Sequence, residues 1–506
     1  MSLEALPVEL LDLICTFCSL PSIKSLRLTS RTLRNVANDH LLRPEVVAYF
    51  HRQSCENVRA IAGHPQIARA VRALCLQADR LEDYPTYEEW NERRERQGDL
   101  ERYRRDFVLE GLENLVPLSS EQWADETIRE ARNNEISRLL AESERANARA
   151  DAERPAIPAA ELRECYEYYC RLVEDQDILA EGEPSTMREC YAAFFRGCPN
   201  LVTVEVTMAH CLRLTTTRKN AIFQKGLVIP HGDPSSDAQG LDAVTGLIQA
   251  AYDADFSPME LRLASVTHYL TTEEDLVEEA AAFLRNVEVL SWQLATPFLN
   301  DDLDVDPDEY EAIIEDLEGG NLATFLADAP HLRFLELEMP CNESGWSCPR
   351  LPTIVGANLW PNLTSFIISK IEANPDDLSD FLLRHDKLQL LQLAQVRLMS
   401  GDWRSCFSMF AGKLLDLGVV ELRGRFENPD DSLFYWFGHL ESQRGNNYER
   451  KIAKYILEGG TACPEVPEHI EGTDDEWESD DDANGDEQAG DGGGDGDEVA
   501  VVATCT

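Results

Sequence analysis

Three groups of residues have a spacing that can support chemistry. Cys15 and Cys18 form a C-x-x-C pair, which occurs in redox thiols and in half of a zinc site. Cys341 and Cys348 flank a loop that contains a tryptophan. Carboxylates stand at positions one, three, five and twelve of a candidate calcium loop, namely Asp304, Asp306, Asp308 and Glu315.

None of these groups is complete. Cys15 and Cys18 lie in an apolar helical stretch with no second pair in range, so core packing is expected. Cys341 and Cys348 have no histidine at zinc spacing. A calcium loop needs glycine where Glu309 stands. The chain also lacks a P-loop, a G-x-S-x-G, an H-E-x-x-H and a glycine-rich dinucleotide turn. We therefore predict no catalytic residues, no metal and no cofactor; a hydrolase assembled from residues distant in sequence stays a minor alternative.

The composition bounds the partners and the compartment. The 506 residues carry a formal net charge of −47, which repels phosphate backbones and anionic lipid, so we expect neither nucleic acid nor membrane as a partner. The sequence has no run of about 18 apolar residues that would span a bilayer. Because Glu4, Glu9 and Asp12 interrupt the first apolar stretch, it does not form a signal peptide. The sequence predicts a cytoplasmic or nuclear protein with reduced cysteines.

Residues 1–45 predict three short helices. Pro7 suits a first helical position, and Ser30 suits the cap of a third helix. Apolar residues recur at helical spacing, among them Leu10, Leu11 and Ile14. A unit of fewer than about 40 residues rarely encloses its own apolar side chains. Either the following domain or a separate protein is expected to cover them.

Several of these residues resemble the F-box motif, a three-helix module that docks on the Skp adaptor of cullin-based ubiquitin ligases. The resemblance is carried by Leu6-Pro7, Glu9-Leu10, Ile14, Ile23, Leu26-Arg27-Leu28 and Ser30-Arg31. It implies that an apolar helical face inserts into the adaptor. The expected contact residues are Leu6, Pro7, Leu10, Leu11, Ile14, Ile23 and Leu26. The alternative is a helical cap on the domain behind it.

Two segments are dominated by charge. Residues 46–195 alternate acidic and basic side chains at helical spacing and predict a charged helical spacer. Within this segment Leu162, Tyr166, Tyr169, Leu172 and Val173 form an apolar face that must pack on something. Residues 459–506 are rich in Asp, Glu and Gly, and a disordered acidic tail is expected there.

An irregular repeat occupies residues 196–458. The pattern is an apolar residue, two others, an apolar residue, one other and a third apolar residue. Six copies are Leu201-Val204-Val206, Val287-Leu290-Trp292, Leu332-Leu335-Leu337, Leu363-Phe366-Ile368, Leu388-Leu391-Leu393 and Leu417-Val420-Leu422. Alternation within a copy predicts a strand, and the intervening segments have helical character. A further copy is suspected around Leu261-Leu263.

Strand and helix in alternation predict an α/β fold: a right-handed, leucine-rich-repeat-like solenoid with the strands on one concave face. The alternative is an ordinary α/β domain. The whole chain then resembles F-box proteins with a divergent leucine-rich-repeat domain, of a type common among filamentous fungi. This resemblance implies a substrate-recognition subunit of a Skp–cullin–F-box ubiquitin ligase, with the Skp adaptor, a cullin and an unknown protein substrate as partners.

If the apolar triplets point inward, the alternate positions form a row across the opposite sheet face. That row is predicted to bind the target through Glu205, Ser291, Glu336, Ile367, Gln392 and Glu421. Its three carboxylates suit a target of basic character, or they merely solubilise an unused face. A second function also stays open, namely a non-catalytic Skp-binding scaffold that takes no part in ubiquitin transfer.

Overall fold

The computed structural model describes most of the chain between residues 3 and 465. The described ranges are 6–16, 20–39, 45–78, 80–95, 157–179, 184–207, 240–273, 276–294, 307–340, 348–429, 433–437 and 448–465, with single residues 3, 18 and 226. Residues 1–465 form one compact unit and 466–506 a second one. The second unit holds most of the predicted acidic tail and lies outside the described residues.

The first half of the described chain contains three strands and nine helical segments, eight of which are labelled. These are α1 Val8–Thr16, α2 Leu20–Thr29, α3 Arg31–Asp39, β1 Glu45–Tyr49, α4 Arg52–Ala62, α5 Pro65–Ala70, β2 Ala73–Gln77, α6 Ala159–Asp177, α7 Pro184–Gly197, β3 Thr203–Thr207 and α8 Leu241–Asp253. Residues 87–95 are helical as well. The apolar face predicted on α6 is confirmed, because Tyr169, Leu172 and Val173 are buried and the Tyr169 hydroxyl donates a hydrogen bond to the Glu82 carbonyl.

The second half alternates strands and helices. These are β4 Glu260–Val266, a short 3-10 helix His268–Thr271, α9 Val277–Leu284, β5 Val289–Leu294, α10 Pro307–Glu318, α11 Asn321–Ala327, β6 Phe334–Glu338, α12 Leu351–Val355, β7 Ser365–Ala373, α13 Pro375–Leu383, β8 Leu390–Leu398, α14 Trp403–Phe410, β9 Val419–Glu427, β10 Leu433–Phe437 and α15 Tyr448–Glu458. All six predicted repeat copies contain a strand. No helix of the described ranges is long and apolar enough to cross a bilayer.

The ten strands form one open sheet in the order of the chain. Strands β1 to β9 are parallel to their neighbours. Strand β10 is antiparallel to β9. The fold is therefore mixed α/β, with helical segments between successive parallel strands, as parallel connections require.

Two registered rows of apolar side chains explain why these segments form strands. One row runs through Leu74, Val204, Leu261, Leu290, Leu335, Phe366, Leu391 and Val420, and the other through Leu76, Val206, Leu263, Trp292, Leu337, Ile368, Leu393 and Leu422. Through Leu393 both rows are buried. Helices cover this face, as shown by the ring contacts Trp292–Phe325 and Phe366–Phe381. Each buried side chain contributes about 1.5–3 kcal/mol.

Each copy enters its strand through the same local hydrogen bonds. The N–H of the first apolar residue donates to the carbonyl three positions earlier, for example Leu363 to Trp360 at 3.0 Å and Leu388 to His385 at 3.2 Å. The carbonyl just before the preceding strand then accepts two successive N–H groups. The Thr364 carbonyl, for instance, accepts from Gln389 at 2.8 Å and from Leu390 at 3.0 Å. These bonds fix the register of each strand on the one before it.

The alternation of buried and outward-facing side chains is interrupted at the sixth residue of four strands. Ser265, Lys370, Gln395 and Gly424 occupy this position, with φ of 58°, 61°, 51° and 71°. A left-handed residue other than glycine costs of the order of 1 kcal/mol. After it, β7 and β8 return to the buried face with Ile371 and Val396.

The sheet begins within the residues predicted as a charged helical spacer. Residues 46–195 contain β1 (with Glu45 as its first residue) and β2, which open the sheet, so the sheet does not begin at residue 196. Strand β2 carries the repeat pattern as Val71-Leu74-Leu76, all three buried. The charged residues around this copy obscure the repeat pattern in the sequence. Helix α15 ends at Glu458, as the predicted repeat region does.

The core assignment predicts a large effect at Trp292. Its ring is fully buried against Phe325 and its Nε1 donates to the Val266 carbonyl at 3.2 Å. We expect Trp292→Ala to lower the free energy of unfolding by about 3–5 kcal/mol, because it leaves a cavity. Urea denaturation followed by circular dichroism measures this. The matched control is Leu415→Ala at an exposed site; equal midpoints for the two variants would contradict the assignment.

His385 gives a pH-dependent prediction. Its Nδ1 lies 2.8 Å from the Phe381 carbonyl, and its Nε2 accepts from the Trp360 N–H at 3.2 Å, which requires a neutral ring. Burial lowers the pKa of His385 below its ordinary 6.5. Since the unfolded chain binds the proton at higher pH, this contribution to stability is present above pH 6.5 and is lost as pH falls through the lowered pKa. As the pH is lowered over this range, the urea midpoint is expected to fall less steeply in His385→Gln than in the unmodified chain. An unchanged slope would refute the assignment.

Candidate functional site

The three N-terminal helices pack on a small core of their own. It consists of Leu11, Cys15, Ile23, Leu33, Val36 and Ala37. Ser30 caps α3 as predicted, because its Oγ accepts from the Leu33 N–H at 3.2 Å. The unit therefore holds its helices together from within, and the apolar residues left outside this core are the ones available to a partner.

The structure changes the set of predicted adaptor contacts. Leu11 and Ile23 are each only 1% exposed and belong to the core, so they cannot be contact residues in this conformation. They resemble contact residues in sequence because core and contact side chains are both aliphatic. Leu6 and Leu26 pack against the core and are partly buried. Of the predicted set, Pro7 and Leu10 are exposed and Ile14 is partly exposed.

Helix α1 is apolar on two sides. Leu11 and Cys15, four residues apart, face the core, whereas Leu10 and Leu13 are exposed at 46% and 52%. Val8 and Leu28 are also exposed, Leu28 at 83%. Sequence reasoning did not single out Val8, Leu13 or Leu28 as contacts. The signal was present, since α1 has more aliphatic side chains than one apolar stripe facing a core needs.

The described members of the three groups that suggested chemistry have structural roles. Cys15 is buried in the three-helix core and Cys18 packs against that core. Cys348 is buried, whereas Cys341 lies outside the described residues, as do Asp304 and Asp306. The chain is helical from Pro307 onward, so Glu309 is not in the turn that a calcium loop needs. Among the described residues, no cluster of three or more His, Cys, Asp or Glu side chains is arranged to hold a metal ion.

The predicted target-binding residues do form one row. Glu336 pairs in register with Ser291 on one side and Ile367 on the other, and the row continues through Gln392 to Glu421. These side chains are partly exposed, and they alternate with the buried rows. We call this side of the sheet the open face, because the helices described above pack on the other side.

Sequence reasoning missed one member of the row. Arg262 of β4 pairs in register with Glu205 and with Ser291, and it is exposed. Strand β4 was suspected from Leu261-Leu263, but its first apolar position is the buried Pro258, which hides the pattern. The predicted row had no residue between Glu205 and Ser291, and the cationic Arg262 occupies that position. Beyond Glu205 the row meets Cys75 of β2, which is buried.

Most charges of the open face are paired with one another. Glu421 contacts Arg423 at 2.6 Å, and Glu336 accepts from the Ser291 hydroxyl at 2.6 Å. Three further pairs are Glu260–Arg262, Glu338–Lys370 and Glu372–Arg397. Desolvation by burial raises the pKa of Glu372, and Arg397 opposes that shift. Exposed pairs contribute little stability, up to about 1 kcal/mol each, but they cancel each other's field.

No family model matches the chain, and no match is found among the curated proteins. Function is therefore inferred from the geometry of the three-helix unit and of the open face.

Two adjacent leucines test the division between core and exposed side in α1. We expect Leu11→Ser to destabilise the three-helix unit by about 2–5 kcal/mol, because it removes a buried aliphatic side chain. Leu10→Ser, the matched control, is expected to change stability by less than about 0.5 kcal/mol. Hydrogen exchange of the amides of α1–α3 in the full chain measures both. Similar protection losses in the two variants would show that the assigned faces are incorrect.

Proposed function

We propose that this chain is the substrate-recognition subunit of a Skp–cullin–F-box ubiquitin ligase. The observation that carries the proposal is the two-sided α1, in which Leu11 and Cys15 close the core while Leu10 and Leu13 are exposed. Exposed aliphatic side chains on a short helical unit are typical of a surface that another protein covers. The three-helix unit is proposed as the F-box and the Skp adaptor as its partner.

The remainder is proposed to be a divergent leucine-rich-repeat solenoid that holds the target. Three features support this: strands follow one another in chain order, the six repeat copies begin with the same turn and shared carbonyl, and the same two rows are apolar from β2 to β9. In such an architecture each repeat contacts only its neighbours. The partly exposed row from Glu205 to Glu421 is the proposed target surface.

The proposed role is positional and requires no reacting group in this chain. Binding the adaptor at one end and the target at the sheet raises the effective concentration of target lysines near the charged partner enzyme. On the open face, most of the described charged side chains engage one another in ion pairs. The proposed compartment is the cytoplasm or the nucleus.

Co-purification with a Skp adaptor and a cullin tests the proposal. The full chain is expected to bring down both proteins and to raise the ubiquitylation of a protein bound to it. Leu10→Asp combined with Ile14→Asp is expected to lower adaptor capture at least tenfold, because two charges would be buried in an apolar contact. Leu10→Asp alone, at an exposed site, is expected to act in the same direction with less risk to folding.

The matched control carries the same charges elsewhere. Leu359→Asp with Leu415→Asp also replaces two exposed leucines and is expected to retain both partners. Full adaptor capture by the Leu10 variants would refute the assigned contact face. Adaptor without cullin, or both without ubiquitylation, would favour a non-catalytic Skp-binding scaffold instead.

A further inference from the structure

A second, apolar row crosses the open face at the first position of the strands. Val289 of β5 pairs with Phe334 of β6, and Phe334 pairs with Ser365 of β7. Ser365 pairs with Leu390 of β8, which pairs with Val419 of β9. Five neighbouring strands about 4.8 Å apart make a row about 19 Å long. We call these five residues the strand-entry strip.

The strand-entry strip is accessible, unlike the apolar residues next to it in sequence. Val419 is 44% exposed, and Val289, Phe334 and Leu390 are partly exposed. Their chain neighbours Leu290, Leu335 and Leu391 are fully buried beneath the helices. The alternation of side chains along a strand explains the apolar residues on the helix-covered face. It does not require aliphatic and aromatic side chains on the open face.

The strip is confined to one part of the sheet. At the same register position, β3 and β4 carry Thr203 and Glu260, and the Thr203 hydroxyl donates to Glu260 at 2.8 Å. From β5 onward the position is apolar except for the small Ser365, which lies between Phe334 and Leu390. Ile367, two residues after Ser365 on the same face, adds another partly exposed aliphatic side chain.

Most charges that border the strip are matched within the chain, and Glu336, two residues after Phe334, accepts a hydrogen bond from the Ser291 hydroxyl at 2.6 Å. Before the strands, Arg333 contacts Glu288 at 3.3 Å. After the strip, Glu338 contacts Lys370 at 3.1 Å and Glu421 contacts Arg423 at 2.6 Å. A basic segment would have to displace these cations from their carboxylates. An uncharged segment leaves the pairs intact and gains free energy by covering apolar surface.

We propose that the strand-entry strip binds an uncharged, apolar segment of the target protein, rich in aliphatic or aromatic residues. This inference rests on the proposed function and deepens it, since it replaces a basic target with an apolar one and moves the contact to the start of β5–β9. Phe334, the aromatic member between Val289 and Ser365, is the expected anchor, because aromatic residues near the centre of an interface carry a large share of its affinity.

Selection of random short peptides displayed on phage against the full chain tests the inference. Enriched peptides are expected to be rich in Leu, Ile and Phe, to lack Lys and Arg, and to bind equally at low and high salt. Leu390→Ser combined with Val419→Ser is expected to weaken their binding at least tenfold, and Phe334→Ser alone by a similar factor. Val419→Ser, at the most exposed member, gives a smaller loss in the same direction with little effect on folding.

Two controls make the outcome specific. Val277→Ser with Met399→Ser removes exposed apolar side chains from α9 and from beyond the opposite end of β8, and it is expected to leave peptide binding unchanged. Glu458→Gln removes an exposed charge from α15 and is expected to leave it unchanged as well. Enrichment of Lys and Arg with loss of binding in Glu421→Gln would overturn the inference. So would no enrichment, equal losses in the strip and control variants, or a dimer of this chain abolished by the strip variants.

Adaptor capture by the same variants separates this inference from the proposed function. The strip variants are expected to retain the Skp adaptor. If the unmodified chain captures no adaptor but binds apolar peptides through the strip, the ligase proposal fails and the binding surface stands. If it captures the adaptor while the strip variants bind peptides normally, only the inference fails.

Discussion

The constraint on which this structure depends is the shared register of its parallel strands. Because β2 to β9 start at equivalent positions, every second residue falls into the same two rows, and those rows are apolar from Leu74 to Leu422. Burial of these rows against the helices fixes which residues face away from them. A shift of one residue in any strand would exchange the buried and open faces of that strand. The open face, its ion pairs and its apolar row all follow from this register.

The N-terminal helices also carry aliphatic side chains, which they divide between a core and the surface. Six small and medium residues make their core, which is near the lower limit of what a unit of this size can enclose. Helix α1 contributes to that core from one side only and keeps leucine on another side. These exposed leucines form the apolar surface on which the proposed docking of a partner protein depends.

Local pattern was sufficient for the six regular copies but not for the whole sheet. The six triplets from Leu201 to Leu422 were recognisable because a strand and the helix after it each have a clear hydrophobic periodicity. All six copies contain a strand. The copy at Val71 was lost among charged residues, and Pro258 concealed the copy in β4. The left-handed residues Ser265, Lys370 and Gln395 could not be anticipated, since none is glycine and the register of neighbouring strands imposes their conformation.

The candidate site was predictable in outline and not in detail. The alternate positions of each strand gave the row from Glu205 to Glu421, since alternation determines which face a side chain joins. Whether those carboxylates were free to attract a target depended on contacts such as that of Glu336 with Ser291, 45 residues away, and no sequence pattern links these two. In α1 the division between Leu10 and Leu11 required the packing of α3, which sequence periodicity does not contain.

The antiparallel strand β10 determines how this sheet can change in length. It pairs with β9 from Gly424 to Glu427, whereas the shorter parallel strands pair through their first five residues. Another strand–helix unit appended after β9 would therefore have to end its pairing before Gly424 or displace β10. Lengthening of the array by duplication, in evolution or by engineering, meets no such limit between the existing strands β3 to β9, where a shared carbonyl at each strand start offers the same junction.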